Sequence, residues 1–300
     1  MPVAHSEPPF GRLLTAMVTP FDATGALDLP AAADLANYLV DAMRNDGLVV
    51  NGTTGESPTT SDAEKAELVR AVKDAVGDRA KVVAGVGTFD TAHTKHLAGQ
   101  AEKAGADGLL VVTPYYSKPP QAGLLAHFTA VADATDLPVL LYDIPGRTAT
   151  PISSETLIAL SNHPNVVAVK DAKGDITASA EVMAVTELAY YAGDDAMTLP
   201  LLAVGGVGVV GTSTHFSGAA MKDLIDAFVA GNAAEALRGH RTLLPIFTGV
   251  FATQGCILVK AGLAAQGRPV GGLRSPLIEA TESETAALRT ALAASGLFAG

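Results

Sequence analysis

Cysteine is nearly missing: Cys256 stands alone among 300 residues. One thiol forms no internal disulfide and builds no cysteine-based zinc site. Tryptophan is absent and aromatics amount to 5%, too few for the stacking platforms that hold exposed bases or sugars. Cations are scarce, with 20 Lys and Arg against 31 Asp and Glu, a formal charge of −11. No Lys/Arg cluster marks a basic face, which argues against nucleic acid and against anionic lipid as partners. Small anions stay possible, because a few local cations reverse the field inside a cleft. No apolar run reaches the roughly 18 residues of a membrane-spanning helix. The opening MPVAHSEPPF lacks the apolar core of a signal peptide, so a cytoplasmic protein is expected.

What is present is a core. Hydrophobic residues make up 48% and charged residues 17%, far from the composition of a disordered chain. Eight short apolar runs alternate with helical patterns at intervals of roughly 30 residues. The runs are Leu13–Val18, Gly47–Asn51, Lys81–Val86, Gly108–Thr113, Pro138–Asp143, Val166–Lys170, Leu188–Ala192 and Val207–Gly211. Most are apolar throughout, as strands buried on both faces should be. Between them, Ser61 to Glu64 reads as a capping box ahead of an apolar stripe, Leu68, Val69, Val72 and Val76. Leu124, Leu125, Phe128 and Val131 form another stripe, Ser153 is placed to cap a short helix, and Gly77, Gly105 and Gly231 sit where helices should end. Eight βα units with right-handed crossovers most simply close into an α/β (β/α)8 TIM barrel, with an open doubly wound sheet as the alternative. The expected layout is a flexible stretch 1–11, a barrel over 12–230 and a helical extension over 231–300.

In a barrel, chemistry gathers at the C-terminal ends of the strands. Lys170 ends the sixth run directly after Val166-Val167-Ala168-Val169. Pointed into a barrel mouth, such an amine loses hydration, its pKa falls, and the neutral form attacks carbonyls to give a Schiff base. The alternative is a lysine that ends a strand and reaches to water. Lys260 also follows an apolar run, but its segment reads as helix and its amine is expected on a solvated face. Gly52-Thr53-Thr54-Gly55-Glu56-Ser57 offers a turn of backbone donors and hydroxyls for a carboxylate, or else an ordinary loop. Tyr142 and Tyr116 offer phenols for proton transfer, and Arg147 a fork for a carboxylate; packing and a surface loop are the plain alternatives.

Other patterns carry less. Gly206 to Gly211 satisfies G-x-G-x-x-G but interleaves with valines late in the chain, so it reads as the eighth strand and not as a nucleotide loop. His93 and His96 share a helix face without a third ligand, and no metal is assigned. Asp194 and Asp195 read as caps of a following helix, with Mg²⁺ binding and a metal-dependent lyase as the competing idea. His215 at a strand end stays open.

Five segments now coincide: GTTGES at 52–57, VTPYY at 112–116, YDIPGRT at 142–148, VKDA at 169–172 and GDD at 193–195. In order and spacing they resemble the dihydrodipicolinate synthase family, pyruvate-dependent class I aldolases in the superfamily that includes N-acetylneuraminate lyase. The resemblance spans about residues 13–267, and the Tyr-(x)4-Arg arrangement favours the synthases over the sialate lyases. It implies condensation of pyruvate with L-aspartate 4-semialdehyde in the diaminopimelate route to lysine. Another pyruvate aldolase, acting on a 2-keto-3-deoxy sugar acid or on N-acetylneuraminate, is the alternative.

By the same resemblance, Lys170 forms the pyruvate imine, and Thr53 and Thr54 hold the pyruvate carboxylate. Thr54 joins a proton relay with Tyr142 that Tyr116 completes from a neighbouring subunit. Arg147 binds the semialdehyde carboxylate, and Gly193 and Val210 line the pocket around the lysine. No cofactor beyond the covalent imine is implied, and the assembly is a homotetramer built from dimers. Pro58, Asp62, Lys65, Phe89 and His93 depart from the residues that lysine-inhibited members carry, so weak or absent lysine feedback is expected.

Overall fold

The computed structural model describes residues 8–297. Eight parallel strands close in sequence order into a barrel: β1 Leu13–Ala16, β2 Gly47–Val50, β3 Lys81–Gly85, β4 Gly108–Val112, β5 Val139–Asp143, β6 Val166–Asp171, β7 Ala189–Ala192 and β8 Gly208–Gly211. β8 returns to β1, with Val210 opposite Leu14. Closure leaves no strand edge, which sets the open-sheet alternative aside. Each strand falls within a residue or two of its expected run.

Alternation along the strands explains the unbroken apolar runs. Leu14, Val49, Val83, Leu140 and Val210 fill the barrel interior, while Leu13, Leu48, Val82, Leu141 and Val209 meet the helices. Both faces are dry, so neither needs polar residues. The glycine-rich 206–211 segment leads into and forms β8, Gly208–Gly211, as its valines indicate. A Cβ on Gly208 would lie 1.9 Å from the Arg12 carbonyl oxygen, so only glycine lets β8 approach that closely.

The helix signals sit where expected. The Ser61 hydroxyl accepts from the Glu64 N–H, and the Glu64 carboxylate accepts from the Ser61 N–H. Such a cap is worth about 0.5–2 kcal/mol. Leu68, Val69, Val72 and Val76 face the barrel. Ser153 caps Ser154–Leu160, and Gly77, Gly105 and Gly231 take positive φ at helix ends. Beyond the barrel's last helix, Thr214–Val229, come helices Ala233–Gly249, Gly255–Ala265 and Glu282–Ala294. No helix among the described residues is long and apolar enough to cross a membrane.

The start of the chain differs from the expected flexible stretch. Residues 1–7 lie outside the described residues, but Phe10 is buried and its N–H donates to the Tyr191 hydroxyl at 3.3 Å. The ring packs against Gly108, where a Cβ would approach it to 2.4 Å. Phe10 therefore plugs the N-terminal end of the barrel, where one aromatic buries more apolar area than the Pro-rich stretch around it suggests.

Candidate active site

β6 places Lys170 on the inward face, two residues beyond Ala168. The side chain is 5% exposed, so it does not reach to water. Its Nζ lies 4.2 Å from the centroid of the Tyr142 ring, on the residue that faces it in register on β5. Burial pushes the amine down to about 8; Asp195 pulls the other way, and Arg147 adds to the fall. Burial drives the Tyr142 phenol up to about 12, with Arg147 and the neighbouring Thr53 opposing. The pair is thus a readily deprotonated amine beside a phenol that holds its proton.

The barrel mouth opens into a cleft of about 240 Å³ whose walls include Gly52, Thr53, Tyr115, Tyr142, Arg147 and Thr148. The loop after β2 is held open by two left-handed residues, Asn51 (φ 57°) and Glu56 (φ 55°). The Gly55 and Ser57 N–H groups donate to the Gly52 carbonyl and the Glu56 N–H to the Thr53 carbonyl. The Gly52, Thr53 and Thr54 N–H groups have no backbone acceptor among the described residues, so three successive donors of the loop are free.

The two threonines diverge, as consecutive residues in a tight turn do. The Thr53 hydroxyl meets Tyr142, whereas Thr54 Oγ1 lies 3.5 Å from Thr212 Oγ1. The hydroxyl beside the phenol is therefore that of Thr53, where the resemblance had assigned Thr54. Arg147 sits exposed at the rim on the Pro145–Thr148 turn, which the Thr148 hydroxyl secures by donating to the Ile144 carbonyl at 3.1 Å.

Asp195 departs from its expected role. Asp194 does cap, accepting from the Ala196 N–H at 2.9 Å. Asp195 instead is fully buried and accepts from the N–H groups of Thr212 and Ser213 and from the Ser213 hydroxyl. Its carboxylate ties the end of β8 to β7 and is the negative pole felt by Lys170. The two carboxylates thus do not form a joint cation site, and no cluster of three or more metal-ligating side chains occurs among the described residues. Register across three strands, invisible in sequence, decides this.

His215 is buried and structural: Nε2 accepts from the Val18 N–H at 3.2 Å and Nδ1 donates to the Thr212 carbonyl at 2.8 Å. Lys260, expected on a solvated face, is 4% exposed and ion-paired with Glu56 at 2.7 Å. Its helix is enclosed on nearly every side, and pairing with a carboxylate offsets the cost of burying the amine. His93 pairs with Asp62 at 3.0 Å, and His96 is exposed.

Two of the remaining expected residues lie within the barrel wall. Val210 is buried inside the barrel. The Gly193 N–H donates to the Asp171 carbonyl at 2.7 Å, and a Cβ there would lie 2.9 Å from Ala172 Cβ. Neither borders the open cleft. Tyr116 does not join the site within one chain: it is 94% exposed with φ 71°, and Tyr115 lines the cleft instead. Sequence reasoning passed over Asp195's position and Glu56. A charged residue inside an otherwise uncharged loop was the available signal for the latter.

The model of the Dihydrodipicolinate synthetase family matches residues 9–295. The 4-hydroxy-tetrahydrodipicolinate synthase of Cutibacterium acnes is 66% identical over 271 residues, 90% of this chain and 92% of its own. That of Acidothermus cellulolyticus is 65% identical over 288 residues, 96% of this chain and 93% of its own. The crystal structure of the Cyanidioschyzon merolae enzyme with lysine bound superposes with a TM-score of 0.95 at 43% identity, covering 97% of this chain and 100% of that one.

Proposed function

The chain belongs to the dihydrodipicolinate synthetase family, and on that premise we propose that this lyase condenses pyruvate with L-aspartate 4-semialdehyde through an imine on Lys170, in the diaminopimelate route to lysine. The observation that carries the proposal is the buried Lys170 amine, pushed down to about 8 beside the Tyr142 phenol. Neutral amine attacks the pyruvate ketone, water leaves, and the resulting iminium acidifies the adjacent methyl group. Loss of a methyl proton gives an enamine, which attacks the aldehyde carbon of the semialdehyde. A phenol pushed up to about 12 is a proton donor, and Tyr142 supplies a proton to the developing alkoxide. The substrate amine then attacks C2, closes the ring and expels Lys170.

The other site residues take roles that their positions support. Thr53 and Thr54 present free N–H groups to the pyruvate carboxylate, and the Thr53 hydroxyl passes protons with Tyr142. Arg147 binds the semialdehyde carboxylate at the rim. Gly193 and Val210 keep the strands tight beside the lysine. The iminium is itself the electron sink, so no cofactor is assigned. Tyr116, exposed and held in a left-handed conformation, is proposed to complete the relay in a second copy, within a homotetramer built from dimers. The setting is proposed to be the cytoplasm, on the strength of the lone cysteine.

Free lysine is proposed to be a poor inhibitor. Phe89 is 61% exposed and accepts no hydrogen bond, His93 is engaged by Asp62, and the Lys65 amine donates to the Thr60 carbonyl nearby. Activity should persist at millimolar lysine; a clear inhibition curve there would overturn this point. The central test is borohydride reduction with pyruvate and peptide mass spectrometry. A stable pyruvate adduct on Lys170 is expected, and a protein that gains no such mass refutes the imine.

A further inference from the structure

Glu56 has no part in the chemistry above, yet its carboxylate is fully enclosed two residues from Thr54. Its left-handed backbone turns the side chain into the protein. Oε1 lies 2.7 Å from Lys260 Nζ, with the two side chains 0% and 4% exposed. Oε2 accepts from the Arg274 N–H at 3.0 Å. The Lys260 amine also donates to the Gly272 carbonyl at 2.6 Å. The Arg274 guanidinium donates to the Gly25 and Thr59 carbonyls and pairs with Glu64. Both cations lie over the ring of Phe21, Lys260 Nζ at 4.4 Å and Arg274 Cζ at 4.2 Å from its centroid. A carboxylate on the hydroxyl-bearing loop is thus clamped by a helix and a following segment that both belong to the C-terminal extension.

The loop needs such a clamp. Asn51 and Glu56 both occupy the left-handed region without being glycine, a conformation that persists only when surroundings over-determine it. A buried charge leaves its site when its partner is removed, because an unpaired ion inside the protein is costly. Displacing Glu56 would move the turn that aims Thr53 and Thr54.

We propose that Glu56 and Lys260 are positioning residues: their buried ion pair fixes the Gly52–Ser57 loop so that Thr53 and Thr54 face the pyruvate carboxylate, and the C-terminal extension thereby sets the affinity for pyruvate. This rests on the proposed role of that loop as the carboxylate cradle.

The test measures the pyruvate concentration dependence of borohydride-trapped imine, together with thermal midpoints, in Lys260→Met, Lys260→Arg and Glu56→Gln. Lys260→Met should raise the half-saturating pyruvate concentration about tenfold, since small misplacements of positioning groups cost 10- to 100-fold. Lys260→Arg, which keeps the charge, should recover most of it. If Lys260→Met does not fold, Glu56→Gln, which keeps the shape and can still accept from Arg274, takes its place with the same expected direction. A lowered thermal midpoint with unchanged pyruvate dependence marks a purely structural pair and overturns the proposal. Thr53→Val and Thr54→Val separate the two ideas. If they also leave pyruvate dependence unchanged, the cradle itself is wrong and the proposal falls with it. If they raise it while Lys260→Met does not, only the positioning role is refuted.

Discussion

The pH dependence of imine formation follows from the buried Lys170 amine. A folded-state amine pKa of about 8 leaves about a tenth of the groups neutral at pH 7; an ordinary lysine near 10.4 leaves about one in 2,500, so burial is worth roughly 200-fold in reactive amine. The rate of pyruvate trapping by borohydride should therefore rise about tenfold per pH unit below 8 and level off above it. Asp195 pulls the pKa up and Arg147 pushes it down. Asp195→Asn should move the midpoint to lower pH, and Arg147→Ala should move it to higher pH. Stability is linked to the same proton. The unfolded chain holds it up to about 10.4 while the folded protein releases it near 8, so unfolding free energy should rise with pH across that window, by about 3 kcal/mol. Lys170→Met should remove that rise in denaturant melts. A midpoint near 10.4, or both variants shifting the midpoint the same way, would show that burial and these two charges do not set the Lys170 amine.

Arg147→Ala should cut kcat/KM for the semialdehyde by about 100-fold, the scale of a lost bidentate carboxylate contact, while pyruvate is still trapped on Lys170; equal losses for both substrates would contradict a rim role. Tyr142→Phe should lower kcat by about 10²- to 10⁴-fold without abolishing the trapped adduct, and near-normal turnover would remove Tyr142 from proton transfer. Burial pushes His127 and His215 down to about 4 each, so the unfolded chain takes up protons first as pH falls below 6.5. Stability should then be full above 6.5 and be lost toward pH 4, by about 3 kcal/mol per histidine. His215→Gln should flatten the curve in chemical denaturation across that range; an unchanged slope would contradict the neutral assignment.

The barrel was legible because buried parallel strands must be apolar on both faces, and βα alternation leaves few topologies. Capping signals were equally direct: Ser61 with Glu64 is a local contact, so spacing alone reports it. Lys170 stood out for the same local reason, a charge directly after four apolar residues. The failures share one cause. Asp195 and Lys260 sit in segments whose local patterns suggest a cap and a solvated helix face, yet both are buried against partners 17 or more residues away. Phe10 likewise acquires its role only from Tyr191 and Gly108.

Residue order alone was enough for the class of fold and for singling out Lys170 as a desolvated amine at a strand end, because each depends on periodicity or immediate neighbours. The folded arrangement alone set which threonine neighbours Tyr142, that Asp195 acts on Lys170's charge, and that the Gly52–Ser57 loop is anchored from the C-terminal extension. Those facts depend on the register of a closed barrel and on the loss of solvent around paired charges, neither of which a linear pattern encodes.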